Sequence, residues 1–377
     1  MSPHKTGWER RTFARLNCEG TQRKGALRHG DPRMNTVLVL ATVAVVLVII
    51  FDYTNGFHDA SNIIATTIAS RAMTPVQAVI IVATFEFLGP ILGGTAVANT
   101  IGKFIDVGTL PQKTAMIIVL CGIIGAITWN LGTWWFGIPS SSSHALVGGL
   151  VGATLLAAGS GYVKWGFAEL GHGKVDGVAK ILIGLVISPL VGFGVGFLLQ
   201  KLMMALFRGA KPGVNKIFRR SQFLTSAFLA FSHGANDAQK SMGIITLVLV
   251  LSGQLTEFKV PFWVILTCAT AITLGILSGG WRIVRTVGFG IYKVRPIHAL
   301  DTQLTSAAVI YGASVLGAPV STTHVVSSSI MGIGTADRAK AVRWGKAQEI
   351  LSTWLITIPG AGLVGVICYL ISMIFTR

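Results

Sequence analysis

Ten apolar stretches alternate with short polar connections along this chain, near residues 35–51, 76–98, 114–136, 145–158, 179–207, 221–232, 242–252, 260–280, 304–318 and 350–375. Most approach the about 20 residues that a helix needs to cross a bilayer. None shows the sustained ten-residue alternation of an outer-membrane barrel, and unpaired backbone is intolerable in lipid, so helices are the predicted element. The pattern predicts an all-α polytopic membrane protein of roughly 10–12 membrane segments by that length rule.

Composition supports the environment: 52% of residues are hydrophobic, 12% are charged, and 45 glycines suit close helix packing in lipid. Cys18, Cys121, Cys268 and Cys368 lack CxxC spacing, and three of them lie in apolar runs, so they read as small hydrophobes. The formal charge of +17 is not a nucleic-acid signature, because no soluble basic domain is visible. It is concentrated in connections such as Lys201, Arg208, Lys211, Lys216, Arg219 and Arg220, and Arg282, Arg285, Lys293 and Arg295, as expected on a cytoplasmic face. Residues 1–33 are basic, polar and without hydrophobic periodicity, which predicts a disordered extension; Met34, just before the first apolar run, is an alternative translation start. Glu349 beside the basic 338–346 segment reads as an interfacial salt bridge.

Two polar motifs interrupt the apolar pattern, and both occur twice in the same order. Asn55-Gly56-Phe57-His58-Asp59-Ala60-Ser61-Asn62 is followed by Gly137-Ile138-Pro139-Ser140-Ser141-Ser142-Ser143-His144. His233-Gly234-Ala235-Asn236-Asp237-Ala238-Gln239-Lys240 is followed by Gly317-Ala318-Pro319-Val320-Ser321-Thr322-Thr323-His324. Asp59 and Asp237 are 178 residues apart and His144 and His324 are 180 apart, which marks an internal duplication. The second copy follows a basic connection and the first does not, so the copies are expected to have opposite topology, with broken helices and a ligand site at their interface. The expected organisation is a 1–33 extension, a first membrane repeat over 34–160, a connecting region with a spanning helix and basic loop over 161–220, a second repeat over 221–336, and a C-terminal helix over 337–377.

An aspartate at membrane depth costs about 3 kcal/mol on insertion scales, so Asp59 and Asp237 are functional candidates facing a cation, a proton pathway or a basic partner. Gly56 and Gly234 are expected to interrupt their helices and expose carbonyls, with Asn62 and Asn236 adding oxygen ligands of the sort that hold sodium. The alternative for each Asp is a structural pairing with a neighbouring helix end. Ser140, Ser141, Ser142 and Ser143, and Ser321, Thr322 and Thr323, follow prolines that end one helix and suit the first turn of the next. Hydroxyls and free amides would then converge at two helix N-termini, a device for oxyanions such as phosphate or sulfate. A lone N-cap is the simpler reading, but the number of hydroxyls exceeds what a cap uses. His144 and His324 follow the clusters at matching positions, as structural histidines or as anion or proton partners. Glu86 is a further acid in an apolar run, open to the coupling ion or to a structural ion pair.

Asn55-Gly56-Phe57-His58-Asp59, Phe85-Glu86-Phe87-Leu88-Gly89, Gly137 to His144, His233 to Lys240 and Ser321 to His324 together resemble the PiT family of inorganic phosphate transporters, over essentially residues 34–377. The resemblance implies an inverted-repeat symporter in a cell membrane, as in the bacterial inner membrane, forming a homodimer in which two helical hairpins close on phosphate. It also implies phosphate binding by the Ser/Thr clusters, cation sites lined by Asp59, Asn62, Asn236 and Asp237, and no organic cofactor. Sodium-coupled members usually carry Gly-Ala-Asn-Asp, a small residue, Ala and Asn in both copies. Here Phe57-His58 and Gln239-Lys240 depart from that pattern, so an ammonium at Lys240 stands opposite Asn62. This resembles the proton-coupled low-affinity permeases of phosphate or metal-phosphate, and H+ is the expected coupling ion, with Na+ the alternative.

A sulfate permease of the same fold would use the same hydroxyls. An intramembrane Ser/His/Asp hydrolase fits less well, because its nucleophile needs one base and one oxyanion hole rather than a duplicated motif. A passive channel does not explain buried acids flanking two anion sites.

Overall fold

The computed structural model describes residues 32–279 and 281–376. The expectation for an N-terminal extension therefore lies, up to residue 31, outside the described residues. Ten long helices follow one another: α1 (Pro32–Ala69), α2 (Pro75–Leu92), α3 (Gln112–Trp135), α4 (Ser142–Ala157), α5 (Gly177–Leu206), α6 (Val214–Leu251), α7 (Phe262–Ser278), α8 (Pro296–Val315), α9 (Thr322–Arg338) and α10 (Trp344–Thr376). Among the described residues there is no strand, only an isolated bridge between Ile105 and Val163. α1, α2, α3, α5 and α10 are by themselves long and apolar enough to cross a bilayer. α4 and α9, at 16 and 17 residues, fall short of a full span, and α6 and α8 carry polar side chains on buried faces. Large apolar side chains face outward, as with Leu38, Val46, Leu198 and Leu355, while Asp52, Asn55, Asp59 and Asp237 are fully enclosed. That inside-out distribution is what a lipid solvent selects.

The ten helices form two sets of five, and the main packing relations recur in the other set. α2 packs on α6 as α7 packs on α1. The fifth helices are exchanged: α5 packs chiefly on α9, and α10 on α4. Their crossings are backbone-close, since a Cβ on Gly332 would stand 2.1 Å from the Phe193 carbonyl oxygen and one on Gly152 2.3 Å from that of Gly362. The orientation of the sets follows from α1 and α6. Asn55 reaches Asp237 at 3.3 Å, while Asp59 lies 3.7 Å from His233. Advancing four residues along α1 thus retreats four along α6, so these equivalent helices run antiparallel and the repeats are inverted.

Parity places the connections on two faces. Near one face, Lys164 N–H donates to Phe104 O and Asp106 N–H to Tyr162 O, tying residues 93–111 to 158–176. Near the other, Arg343 N–H donates to Ile291 O, tying 279–295 to 339–343. α3–α4 and α8–α9 are therefore hairpins that return to the side from which they came. The second face carries Arg71, Arg208, Lys211, Arg282, Arg285, Lys293, Arg295, Lys340 and Arg343 in its connections without one acid; the first carries four lysines and four acids. The acid-free face of the connections has the charge bias that the positive-inside rule associates with the cytoplasm. Lys346 and Glu349 form the expected exposed ion pair there, at 2.5 Å.

Candidate functional site: two hairpin tips meeting on a buried carboxylate cluster

The structure corrects two expectations about how the motifs bend the chain. Gly56 and Gly234 do not interrupt their helices: α1 and α6 are each 38 residues long and run through the motifs unbroken. Their glycines serve close approach instead. A Cβ on Gly56 would lie 2.0 Å from the Ile272 carbonyl oxygen, and one on Gly234 2.4 Å from that of Glu86. The prolines are likewise not first-turn residues, since Pro139 and Pro319 precede the caps Ser141 and Ser321. The breaks are made by Gly137 (φ 68°) and Gly317 (φ 63°) in the left-handed region, where a Cβ is penalised. Both turns close identically: Ile138 N–H donates to Thr133 O and Gly137 N–H to Trp134 O; Ala318 N–H donates to Ala313 O and Gly317 N–H to Ser314 O. A threonine holds each tip, Thr286 donating to Gly137 O at 2.9 Å and Thr100 to Gly317 O at 2.7 Å.

Beyond the turns, Ser141 and Ser321 cap α4 and α9 by accepting from the His144 and His324 amides at 3.2 and 3.3 Å. The amides of Ser142, Ser143, Thr322 and Thr323, in the first turns, have no intrahelical acceptor, and the helix dipoles point at the same region. The two tips touch, because Ser143 Oγ donates to Val320 O at 3.1 Å. Ser140 to Ser143 and Ser321 to Thr323 are all buried, so the hydroxyl clusters sit in an enclosed interior rather than in an open groove.

Asp59 occupies the α9 end of this space. Thr322 Oγ1 donates to its Oδ2 at 3.3 Å and Thr323 Oγ1 to its Oδ1 at 3.2 Å. Asn62 Nδ2 bonds both Asp59 Oδ1 at 3.1 Å and Thr323 Oγ1 at 2.8 Å, leaving its own carbonyl oxygen unpaired. His58 Nδ1 lies 2.7 Å from Asp59 Oδ1, and its Nε2 3.3 Å from Ser140 Oγ. A carboxylate thus sits where two hydroxyls and a helix N-terminus are organised for an anion.

Asp237 is satisfied differently. Lys240 Nζ donates to its Oδ1 at 2.8 Å and to Val320 O at 3.2 Å, with the whole lysine side chain buried. Asn55 donates to Oδ2 at 3.3 Å, and Asn236, its amide turned to donate, reaches Val320 O and Asp237 Oδ1 at 3.3 Å each. Asp59 and Asp237 are bridged by His233, whose Nε2 lies 3.7 and 3.9 Å from them and whose Nδ1 is 2.6 Å from Glu86. Single atoms of Asp59, His233 and Asp237 converge within 4.8 Å of one another, a spacing suited to one cation. Four acid or histidine groups, His58, Asp59, His233 and Glu86, thus form a chain through the protein centre.

Every selected residue except His144 and His324 falls in this cluster. Those two stack on each other at 4.6 Å, and His324 stacks on Trp354 at 3.7 Å, without a side-chain bond to the acids. The sequence reading passed over His233 as a site residue, along with Asn55. The signal was its place four residues before Asp237, on one face of a continuous helix; an expected break at Gly234 hid it.

Residues 55–365 match the model of the phosphate transporter family. The chain is 43% identical over 346 residues to a probable low-affinity inorganic phosphate transporter of Bacillus subtilis, covering 91% of this chain and all of that protein. A protein of the same description from Rhizobium meliloti is 43% identical over 342 residues, 90% of this chain and 98% of its own. Among solved structures, "The sodium-dependent phosphate transporter" superposes with a TM-score of 0.79 at 25% identity, over 89% of this chain and 99% of that one. With a family match over more than half its length and relatives aligned nearly end to end, the chain belongs to the phosphate transporter family.

Proposed function

We propose that this protein imports inorganic phosphate across a cell membrane by proton symport. The observation that carries the coupling ion is Lys240: its buried ammonium lies on Asp237 at 2.8 Å, at the position that Asn62 holds in the other repeat. That ammonium already balances one carboxylate of the pair, so that carboxylate needs no sodium. The other, Asp59, is bonded only by neutral hydroxyls, an amide and histidines, and it stands in the anion's place.

Phosphate displaces that carboxylate from Thr322 and Thr323. Its oxygens then accept from those hydroxyls, from Ser142 and the first-turn amides of α4 and α9. An unneutralised Asp59 beside an incoming dianion is electrostatically prohibitive in a dry site. A proton on the His58–Asp59–His233–Glu86 chain removes that repulsion, which ties anion entry to proton entry. Release of the proton on the far side restores the Asp59 contacts and expels the anion. Alternating access follows from the inverted hairpins, whose tips are held from opposite faces by Thr100 and Thr286.

Sodium coupling is the second reading, favoured by the convergence of Asp59, His233 and Asp237 and by the name of the superposed structure. Uptake of labelled phosphate into proteoliposomes separates the two: accumulation under an inward proton gradient without sodium supports proton symport, and accumulation that requires a sodium gradient supports the other. Competition by excess sulfate, if it abolished uptake, would replace phosphate as the preferred anion. The protein works as a homodimer in this reading, and cross-linking in the membrane tests that part.

A further inference from the structure

An open cavity of about 380 Å³ lies beside the α8–α9 hairpin tip, on the face opposite the acid-free connections. Three lysines from three separate segments line it: Lys103 from the connection after α2, Lys164 from the connection after α4, and Lys180 from the first turn of α5. The one acid on its wall is Asp176, and among the described residues it forms no ion pair with any of the three. Away from the cavity the connections of this face carry two lysines, Lys174 and Lys259, and three acids, Asp106, Glu169 and Glu257, so the positive excess here is local. Lys103 is exposed, with its ammonium 5.6 Å from the centre of the Phe258 ring, and Lys164 and Lys180 are half-buried.

The cavity is joined to the central site by bonded neighbours. Lys180 Nζ donates to Thr100 Oγ1 at 3.4 Å, and Thr100 donates to Gly317 O at 2.7 Å. Three residues beyond Gly317, Val320 O receives Lys240 and Ser143, and Thr322 begins the helix that holds Asp59. Thr100 therefore stands between a basic mouth and the tip that must move for the interior to open.

We propose that Lys103, Lys164 and Lys180 form a second oxyanion site, an external vestibule that captures phosphate before it passes the α8–α9 tip. This rests on the phosphate-import reading. Clustered ammonium groups over a low-dielectric wall raise the local concentration of a dianion and speed its association, an effect that salt screens.

The test uses the full chain in proteoliposomes. A membrane-impermeant amine acylating reagent is applied with and without inorganic phosphate, and modification of each lysine is read by mass spectrometry; kinetics are measured in parallel. Phosphate is expected to slow labelling of Lys103, Lys164 and Lys180 at least threefold and to leave Lys113 unchanged. Protection is expected to persist in Thr322→Val/Thr323→Val, which weakens the central site. Lys164→Gln/Lys180→Gln is expected to raise KM for phosphate five- to tenfold, flatten its dependence on ionic strength, and leave Vmax within twofold. Normal uptake with no protection, or with an unchanged KM in the double variant, overturns the vestibule and leaves the transport reading standing. Protection without any phosphate uptake overturns the transport reading and keeps the oxyanion site. Protection lost together with Thr322 and Thr323 means that the lysines sense only the central site, which also overturns the proposal.

Discussion

The two repeats share one backbone plan and differ at their polar centres. In the first, Asp59 is held by Thr322, Thr323, Asn62 and His58, all neutral donors or titratable rings. In the second, Asp237 is held by the ammonium of Lys240. The difference extends one layer outward. Gly234 crosses at Glu86, which pairs with His233, whereas the equivalent crossing of Gly56 is at Ile272, which can pair with nothing. Duplication supplied two symmetric frames for hairpins to move against. Divergence anchored one carboxylate with a lysine ammonium and left the other to hydroxyls, an amide and an imidazole.

Removing the anchor should produce the largest effect. Asp237→Asn leaves the Lys240 ammonium buried without its counterion, a change of about 3–5 kcal/mol, so folded yield and detergent-solubilised melting temperature should fall sharply. Asp237→Leu/Lys240→Met should recover much of that stability without recovering transport. Equal loss in both variants would show that the ion pair is not what Asp237 supplies.

The crossings rank next. Gly56→Ala and Gly234→Ala each force a methyl into backbone, costing about 1–3 kcal/mol as overpacking does. Gly56→Ala should cost more, because its Cβ would stand 2.0 Å from a carbonyl oxygen against 2.4 Å. Thermal unfolding of the two variants checks the order. At the α9 end, Thr322→Val removes a donor to Asp59 and, in the proposed cycle, to phosphate, so KM should rise about tenfold, equivalent to about 1.4 kcal/mol. Ser142→Ala, its counterpart on α4, tests whether both helix ends share the anion; an unchanged KM there would confine binding to α9. The smallest effect belongs to the surface. Lys346→Ala breaks an ion pair whose members are 49% and 65% exposed, and should alter stability by less than about 0.5 kcal/mol.

The residues of the site were legible in the sequence because polar motifs in apolar runs are costly and therefore conspicuous. Their order and spacing also exposed the duplication, and the acid-free connections its orientation. The helix continuity was not legible. Glycine in a polar motif reads equally as a break or as a close crossing, and only the neighbouring carbonyls of Ile272 and Glu86, far away in sequence, decide between them. His233 was hidden for the same reason, its partner Glu86 lying 147 residues away. The lysine vestibule carries no motif at all, since Lys103, Lys164 and Lys180 come together only through the pairing of two outer connections.

The decisive test is gradient-driven phosphate accumulation in proteoliposomes of the full chain, comparing wild type with Lys240→Asn, which makes the second repeat match the first at this position. Wild type should accumulate phosphate under a proton gradient at any sodium concentration, and Lys240→Asn should lose that independence and respond to sodium. Wild-type accumulation driven by a sodium gradient alone, unaffected by pH, would contradict the assignment of Lys240 as the cation that replaces sodium.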